Sequence, residues 1–379
     1  MKMHNFKLLL SFAILLSITY ACGQTNSQTS DDEVDNVKDS LIITKNKYIP
    51  EEDTISIIGV GDIMFGTNFP TSPNYLPPNN NPKTLIEPVV HILKDADLTF
   101  GNNEGVFSNK PELARPCNDP KWCYRFSMPE DYVNNYHYGG FDVVSIANNH
   151  LGDMGKYGRD NTVKILKEAG IHFAGLTTHP TDTFTLEGIK YGFCAFAPND
   201  GTCRITDYEL LKRTVKKLKE ECQIVIVSFH GGAEGSKHEH LTRQTEVFLG
   251  QNRGNVYKFA HTAVDAGADI VFGHGPHVTR AVEVYKSRFI AYSMGNFCTY
   301  RRFNINGVSG IAPIIKVYVN GKGEFIKGKI TATYQNKMTG TKLDPNNRVI
   351  TRMQQLIKED IPESIIEIKD NGDIVYKNN

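Results

Sequence analysis

From residue 54 onward, short apolar, β-branched runs alternate with stretches whose apolar residues recur every three or four positions. Runs at 55–60, 98–100, 142–147, 224–229, 269–273 and 289–293 have the length and composition of buried strands. Between them, 159–169, 207–222 and 256–266 carry one apolar stripe each: Val163, Leu166 and Ala169 in the first; Leu210, Leu211, Val215 and Leu218 in the second. The first and third of these helical stretches stop at a glycine, as helices commonly do. Such alternation of strand and helix predicts an α/β sandwich with a largely buried sheet. After Gly310 the pattern becomes two extended runs, 314–319 and 325–333, joined by Asn320-Gly321-Lys322-Gly323. That is a β-hairpin. A helix over 348–359 and a short strand pair within 365–376 follow, and these elements are expected to form the sheet edge of the same domain, spanning 54–379.

The polar residues fall where those strands stop. The first run ends in Gly61-Asp62, the second in Asn102-Asn103-Glu104, the third in Asn148-Asn149-His150 with Asp153 behind it. The others end in His230-Gly231-Gly232, in Gly273-His274-Gly275-Pro276-His277 and in Met294-Gly295-Asn296. In an open α/β sheet the carboxyl ends of the strands form the ligand crevice, so these distant clusters are expected to meet on one rim. Each alone is weak, because a Gly-Asp after a strand is usually only a turn and Asn296 also suits a cap or turn. Together Asp62, Glu104, Asn149, His230, His274 and His277 supply oxygen and imidazole donors without thiolate. That set suits one or two divalent ions of Mn, Fe or Zn. A carboxylate can bridge two close cations, and His150 has the right ordinary pKa to protonate a leaving oxygen. Asn102, Asp153, Glu234 and Asn296 are expected on the rim. His137, His172, His179, His238, His240 and His261 are read as ordinary surface or core histidines.

Composition narrows the partners. Lys+Arg and Asp+Glu are 42 each, so no basic field points to nucleic acid and no acidic tract to a solvating tail. The N-terminal segment is set apart: Lys2 and Lys7 precede an apolar stretch over 8–18, which ends in Ala21-Cys22-Gly23. This is a signal sequence, 1–22, whose last residues look like a bacterial lipobox with Cys22 as the lipidated residue. Residues 23–53 are polar and read as a flexible tether, so the protein is expected in the cell envelope, lipid-anchored at a membrane surface. Six further cysteines remain; Cys117 and Cys123 flank a turn-rich stretch and are the expected disulfide, while Cys194, Cys222 and Cys298 read as small buried residues.

The order of motifs resembles the CapA family of poly-γ-glutamate capsule-synthesis proteins, a branch of the calcineurin-like metallophosphoesterases. The resemblance rests on Val60-Gly61-Asp62-Ile63-Met64, Asn102-Asn103-Glu104, Ala147-Asn148-Asn149-His150, His230-Gly231-Gly232 with Glu234, Gly273-His274-Gly275-Pro276-His277 and Ser293-Met294-Gly295-Asn296. It implies a metallophosphoesterase-like α/β sandwich in which Asp62 and His277 hold one metal. Asn149, His230 and His274 would hold the other, Glu104 would bridge, and His150 would be the general acid. Three departures stand out. Met64 replaces the histidine of the usual Asp-x-His, Asn-Asn-Glu replaces Gly-Asp, and an extra residue separates His274 from His277. The first ion site is therefore poorer in ligands. The role implied is synthesis or export of poly-γ-glutamate at the cell surface, alongside membrane ligase subunits. A free-standing metal-dependent phosphoesterase or amide hydrolase acting on a small envelope substrate is the alternative, as is a non-catalytic module that grips an anionic polymer.

Overall fold

The computed structural model describes residues 53–72, 75–116, 124–336 and 338–378. The leader with Cys22, the tether as far as residue 52 and the Cys117–Cys123 pair lie outside the described residues.

Two sheets pack face to face. In the ten-stranded first sheet, Ile55–Met64 lies beside Leu98–Asn103, followed by Val143–Ser145 and His172–Ala174, all parallel. On its other flank Ile55–Met64 pairs antiparallel with Ile311–Val319, which pairs in turn with Phe325–Asn336. The C-terminal strands Ile366–Ile368 and Asp373–Tyr376 complete that edge. The late hairpin is thus part of the main sheet. The six-stranded second sheet runs Val282–Tyr285, Arg288–Ala291, Ile270–His274, Ile224–His230, Ile189–Phe196, Thr181–Leu186, and its four inner strands are parallel.

The period of two along Ile55–Met64 divides its side chains between two cores. Ile55 and Ile57 face the second sheet, while Ile58 and Val60 face the helix Gly155–Ala169 and the short helices before it. Both faces are therefore buried, which is why the strand reads as a continuous apolar run. At the centre of the sandwich Phe100 stacks on Phe272, with ring centroids 5.1 Å apart and planes 10° from parallel. Helices Tyr208–Glu221 and Val256–Asp265 cover the second sheet, capped by Asp207 and Asn255 side chains.

The strand Ile189–Phe196 was not apparent from the sequence, since Lys190 and Gly192 interrupt its apolar run. The helix Gly155–Ala169 begins four residues before the stripe at 159. Cys194, Cys203, Cys222 and Cys298 are free thiols buried in the interior.

Candidate metal centre

The strand-end clusters meet at the seam between the sheets. Asp62 lies at the end of the first sheet's central strand, and Glu104 just beyond the neighbouring one. His230 and His274 end two paired strands of the second sheet, directly opposite each other in register. Two glycines permit this convergence. A Cβ on Gly61 would lie 2.0 Å from the Gly295 carbonyl oxygen, the strand backbone here touching the 294–296 loop. Gly275, at φ 119°, lets the 274–277 loop press on Gly231, whose N–H donates to the His274 carbonyl at 2.8 Å.

Asp62, Glu104 and His230 each offer a donor atom within 4.8 Å of the others. Asp62 Oδ2 lies 2.7 Å from His277 Nδ1, and Asp62 Oδ1 lies 3.3 Å from His274 Nδ1. Asn102 Nδ2 ties the acids together, donating to Asp62 Oδ1 at 2.8 Å and to Glu104 Oε2 at 2.5 Å. Alternation along the strand turns Asn103 the other way, where it accepts from Tyr136 Oη at 2.8 Å. Asn148 Nδ2 donates to the Asn103 carbonyl, and Asn148 Oδ1 accepts the His150 N–H, so it fastens the third cluster to the second.

The buried charge is unevenly held. Burial alone would raise the Asp62 carboxyl, but His274 and His277 outweigh it and hold it well below the usual carboxylate range. Burial, with the neighbouring Asp62 charge, pushes Glu104 up to about 7. Burial would depress His277, yet its contact with Asp62 prevails and lifts it to about 9. His230 is driven well below the ordinary imidazole value by burial and by the Arg253 charge, so it is neutral and carries a lone pair.

Whether these residues fit a metal is answered by their partners. Among the described residues neither ring nitrogen of His230 or of His274 makes a hydrogen bond, and both side chains are fully buried. Glu104 Oε1 and Asn149 Oδ1 are likewise buried without partners. Both Nδ1 atoms lie near a carboxylate, 3.3 Å for His274 to Asp62 and 3.5 Å for His230 to Glu104, without a well-formed hydrogen bond, and both Nε2 atoms have no acceptor or donor among the described residues. Such a set is costly in a finished hydrophobic core and is the donor set a divalent ion takes. The residues fit. Met64 does not contribute: it is buried, and its Sδ accepts the Gly66 N–H at 3.3 Å.

His150 sits at the border of this cluster. Its Nε2 lies 3.3 Å from Asn149 Nδ2 and 3.9 Å from Glu104 Oε1, and its Nδ1 is 2.8 Å from Asp153 Oδ2. Burial would lower its pKa, but the charge and hydrogen bond of Asp153 raise it. An imidazole oriented through one nitrogen and exposed to the cluster through the other can hold or release a proton there. Asp153 also accepts from Arg115 at 3.3 Å and from the Phe126 N–H at 2.8 Å. Phe126 packs on His150, centroids 4.2 Å apart. Glu234 pairs with Arg253 at 2.9 Å, and Asn296 Nδ2 donates to the carbonyls of His277 and Ser309 at 3.1 Å each.

All the predicted ligands except Asn149, whose amide turns to His150, therefore share direct contacts. Asp62 touches both His274 and His277. Arg115, Phe126 and Arg253 escaped the sequence reading; they arrive from distant loops, and no local pattern marks them.

Residues 56–301 match the family described as bacterial capsule synthesis protein PGA_cap. The chain belongs to that family. It is 28% identical over 268 residues to the capsule biosynthesis protein CapA of Bacillus anthracis, covering 65% of this chain and 60% of that protein. It is 24% identical over 263 residues to the PGA biosynthesis protein CapA of Bacillus subtilis, covering 65% and 63%. The chain thus spans less than two thirds of the length of these PGA_cap relatives. Among solved structures, a 5'-nucleotidase precursor from Thermus thermophilus aligns with a TM-score of 0.42 at 12% identity, covering 81% of this chain and 59% of that one.

Proposed function

We propose that this PGA_cap protein is a lipid-anchored component of the cell envelope that acts in synthesis or export of a poly-γ-glutamate type of anionic polymer, through a centre that holds divalent metal. Its partners on this reading are the polymer, membrane ligase subunits and, through Cys22, a membrane surface. The observation that carries the metal part is the pair of fully buried imidazoles, His230 and His274, with no hydrogen bond on any ring nitrogen, beside Asp62 and Glu104. Family membership carries the biological part.

Asp62, Glu104, His230 and His274 are the residues that would hold an ion, with His277 joined through Asp62. A bound Mn, Fe or Zn ion supplies Lewis acidity and an acidified water. The chain's own contribution is proton handling and orientation. Asp153 fixes the His150 ring so that Nε2 addresses the cluster, and Asn102 holds Asp62 and Glu104 at a fixed spacing. His150 is the group placed to protonate a leaving oxygen or nitrogen.

Elemental analysis of purified protein tests this. Wild type should carry Mn, Fe or Zn, depleted in His230→Ala and His274→Ala; wild type with no metal above background removes the reading. A panel of phosphodiester and γ-glutamyl substrates then tests chemistry, and turnover unchanged in His150→Ala removes His150 as the acid. A free-standing hydrolase of a small envelope metabolite is the second reading, favoured by the cavity of about 510 Å³ above the centre, a size typical of small-ligand sites.

A further inference from the structure

The cavity that opens onto the centre has Asn149, His150 and His277 in its lining. Four arginines and two carboxylates, besides the histidines, line it. Both carboxylates are already engaged: Asp153 with His150 and Arg115, and Glu234 with Arg253 at 2.9 Å. The Arg302 guanidinium lies over the rings of Tyr75 and Tyr124, 5.0 and 5.4 Å from their centroids.

Arg125, among the described residues, forms no ion pair, and its hydrogen bond runs from Nη1 to the Tyr124 carbonyl at 3.0 Å. Its Nε is buried and makes no hydrogen bond. Nε is closed off from the cavity and the residue is half-buried, so an anion there meets the guanidinium through its Nη groups. Position adds to this. Arg125 immediately precedes Phe126, which packs on the His150 ring and on Phe303, centroids 4.2 and 4.6 Å apart. The backbone of that segment is pinned by the Phe126 N–H on Asp153. The guanidinium therefore sits one residue before the side chain that packs on His150.

We propose that Arg125 is the residue that recognises substrate charge: the ligand carries a second oxyanion, carboxylate or phosphate, beside the group that reaches the centre, and Arg125 binds it. A guanidinium fork matches either oxyanion in a bidentate way, and an ammonium does not. Side chains spaced along an anionic polymer present such a group, as does a phosphorylated small molecule. That this second oxyanion lies next to a reacting bond rests on the metal-centre reading; the recognition itself does not.

The test uses the full chain, stripped with EDTA or supplemented with Mn²⁺, and titrates tri-γ-glutamate and inorganic phosphate by calorimetry. The variants are Arg125→Gln, Arg125→Lys and, as a control on an exposed helix, Arg213→Gln. Wild type should bind at least one probe, stripped or loaded. Arg125→Gln should weaken that binding about tenfold, equivalent to about 1.4 kcal/mol. Arg125→Lys should lose a smaller part, Arg213→Gln nothing, and metal content should stay at the wild-type level in all three. Preference for the peptide assigns the oxyanion to carboxylate, and preference for phosphate assigns it to a phosphoryl group. Equal affinity in wild type and Arg125→Gln overturns the proposal, as does an equal loss in Arg213→Gln or binding of neither probe by wild type. If Arg125→Gln fails to fold, the Lys variant decides, and undiminished binding there overturns it. Arg125-dependent binding in a protein that takes up no metal sustains this proposal while removing the metal reading.

Discussion

Glu246→Gln is the most demanding perturbation of the loop that walls the cavity. Glu246 and Arg280 form a bidentate pair, Nη1 to Oε1 and Nη2 to Oε2 at 2.8 Å each, and both are buried. Glu246 also accepts the Ala233 N–H at 2.9 Å, and Arg280 Nε donates to the His238 carbonyl at 2.9 Å. The pair thus holds residues 232–254, which include Glu234 and Arg253, against the second sheet. Glutamine keeps the shape but sets an amide donor against a guanidinium donor and leaves the arginine charge uncompensated. Breaking a buried pair from one side costs about 3–5 kcal/mol. For a domain of this size ~1 kcal/mol shifts the melting midpoint by ~1.5 °C, so the expected drop is about 4–8 °C by calorimetry or near-UV circular dichroism. Replacing both partners, Glu246→Leu with Arg280→Met, should recover most of that loss, because the desolvation cost disappears with the charges. A drop below about 2 °C in Glu246→Gln would show that the pair does not anchor the loop.

Further outcomes follow from the same contacts. Metal affinity should rise with pH between 6 and 9: Glu104 keeps its proton below about 7 and His277 below about 9, and each proton competes with a cation. Each displaced proton gives about tenfold per pH unit in an isothermal titration; affinity flat across that window refutes the involvement of both groups. Phe100→Ala, which empties the contact with Phe272 between the sheets, should cost about 3–5 kcal/mol in urea unfolding without altering metal content in the folded fraction. Gly275→Ala forces a Cβ to within 2.5 Å of the Gly231 carbonyl oxygen at φ 119°, so it should lower both stability and metal content. Met64→His should not raise metal content, because that side chain lies in the core beside Gly66 rather than among the donors.

The site was legible where physics ties composition to position. Parallel strands buried on both faces read as continuous apolar runs, and the point where apolarity stops marks the strand end, so Asp62, Glu104, His230 and His274 could be placed on one rim without a structure. The strand Ile189–Phe196 was hidden because Lys190 and Gly192 break its run, although nearly all of it is buried. Arg115, Phe126 and Arg253 were hidden for another reason. They act on His150 and Glu234 across long loops, and sequence distance carries no trace of such contacts.

The pairing of Ile55–Met64 with Ile311–Val319 bears on where this protein can be cut. The family match stops at residue 301, yet Ile55 through Val60 hydrogen-bond along their whole outer flank to residues 314–319. A fragment ending at 301 would keep every candidate metal donor and still leave the strand that carries Asp62 with a bare row of backbone donors and acceptors, a template for aggregation. The matched region and the folding unit are therefore different lengths of chain. The strand beside Asp62 is closed only when the last sixth of the polypeptide has come back to pair with it.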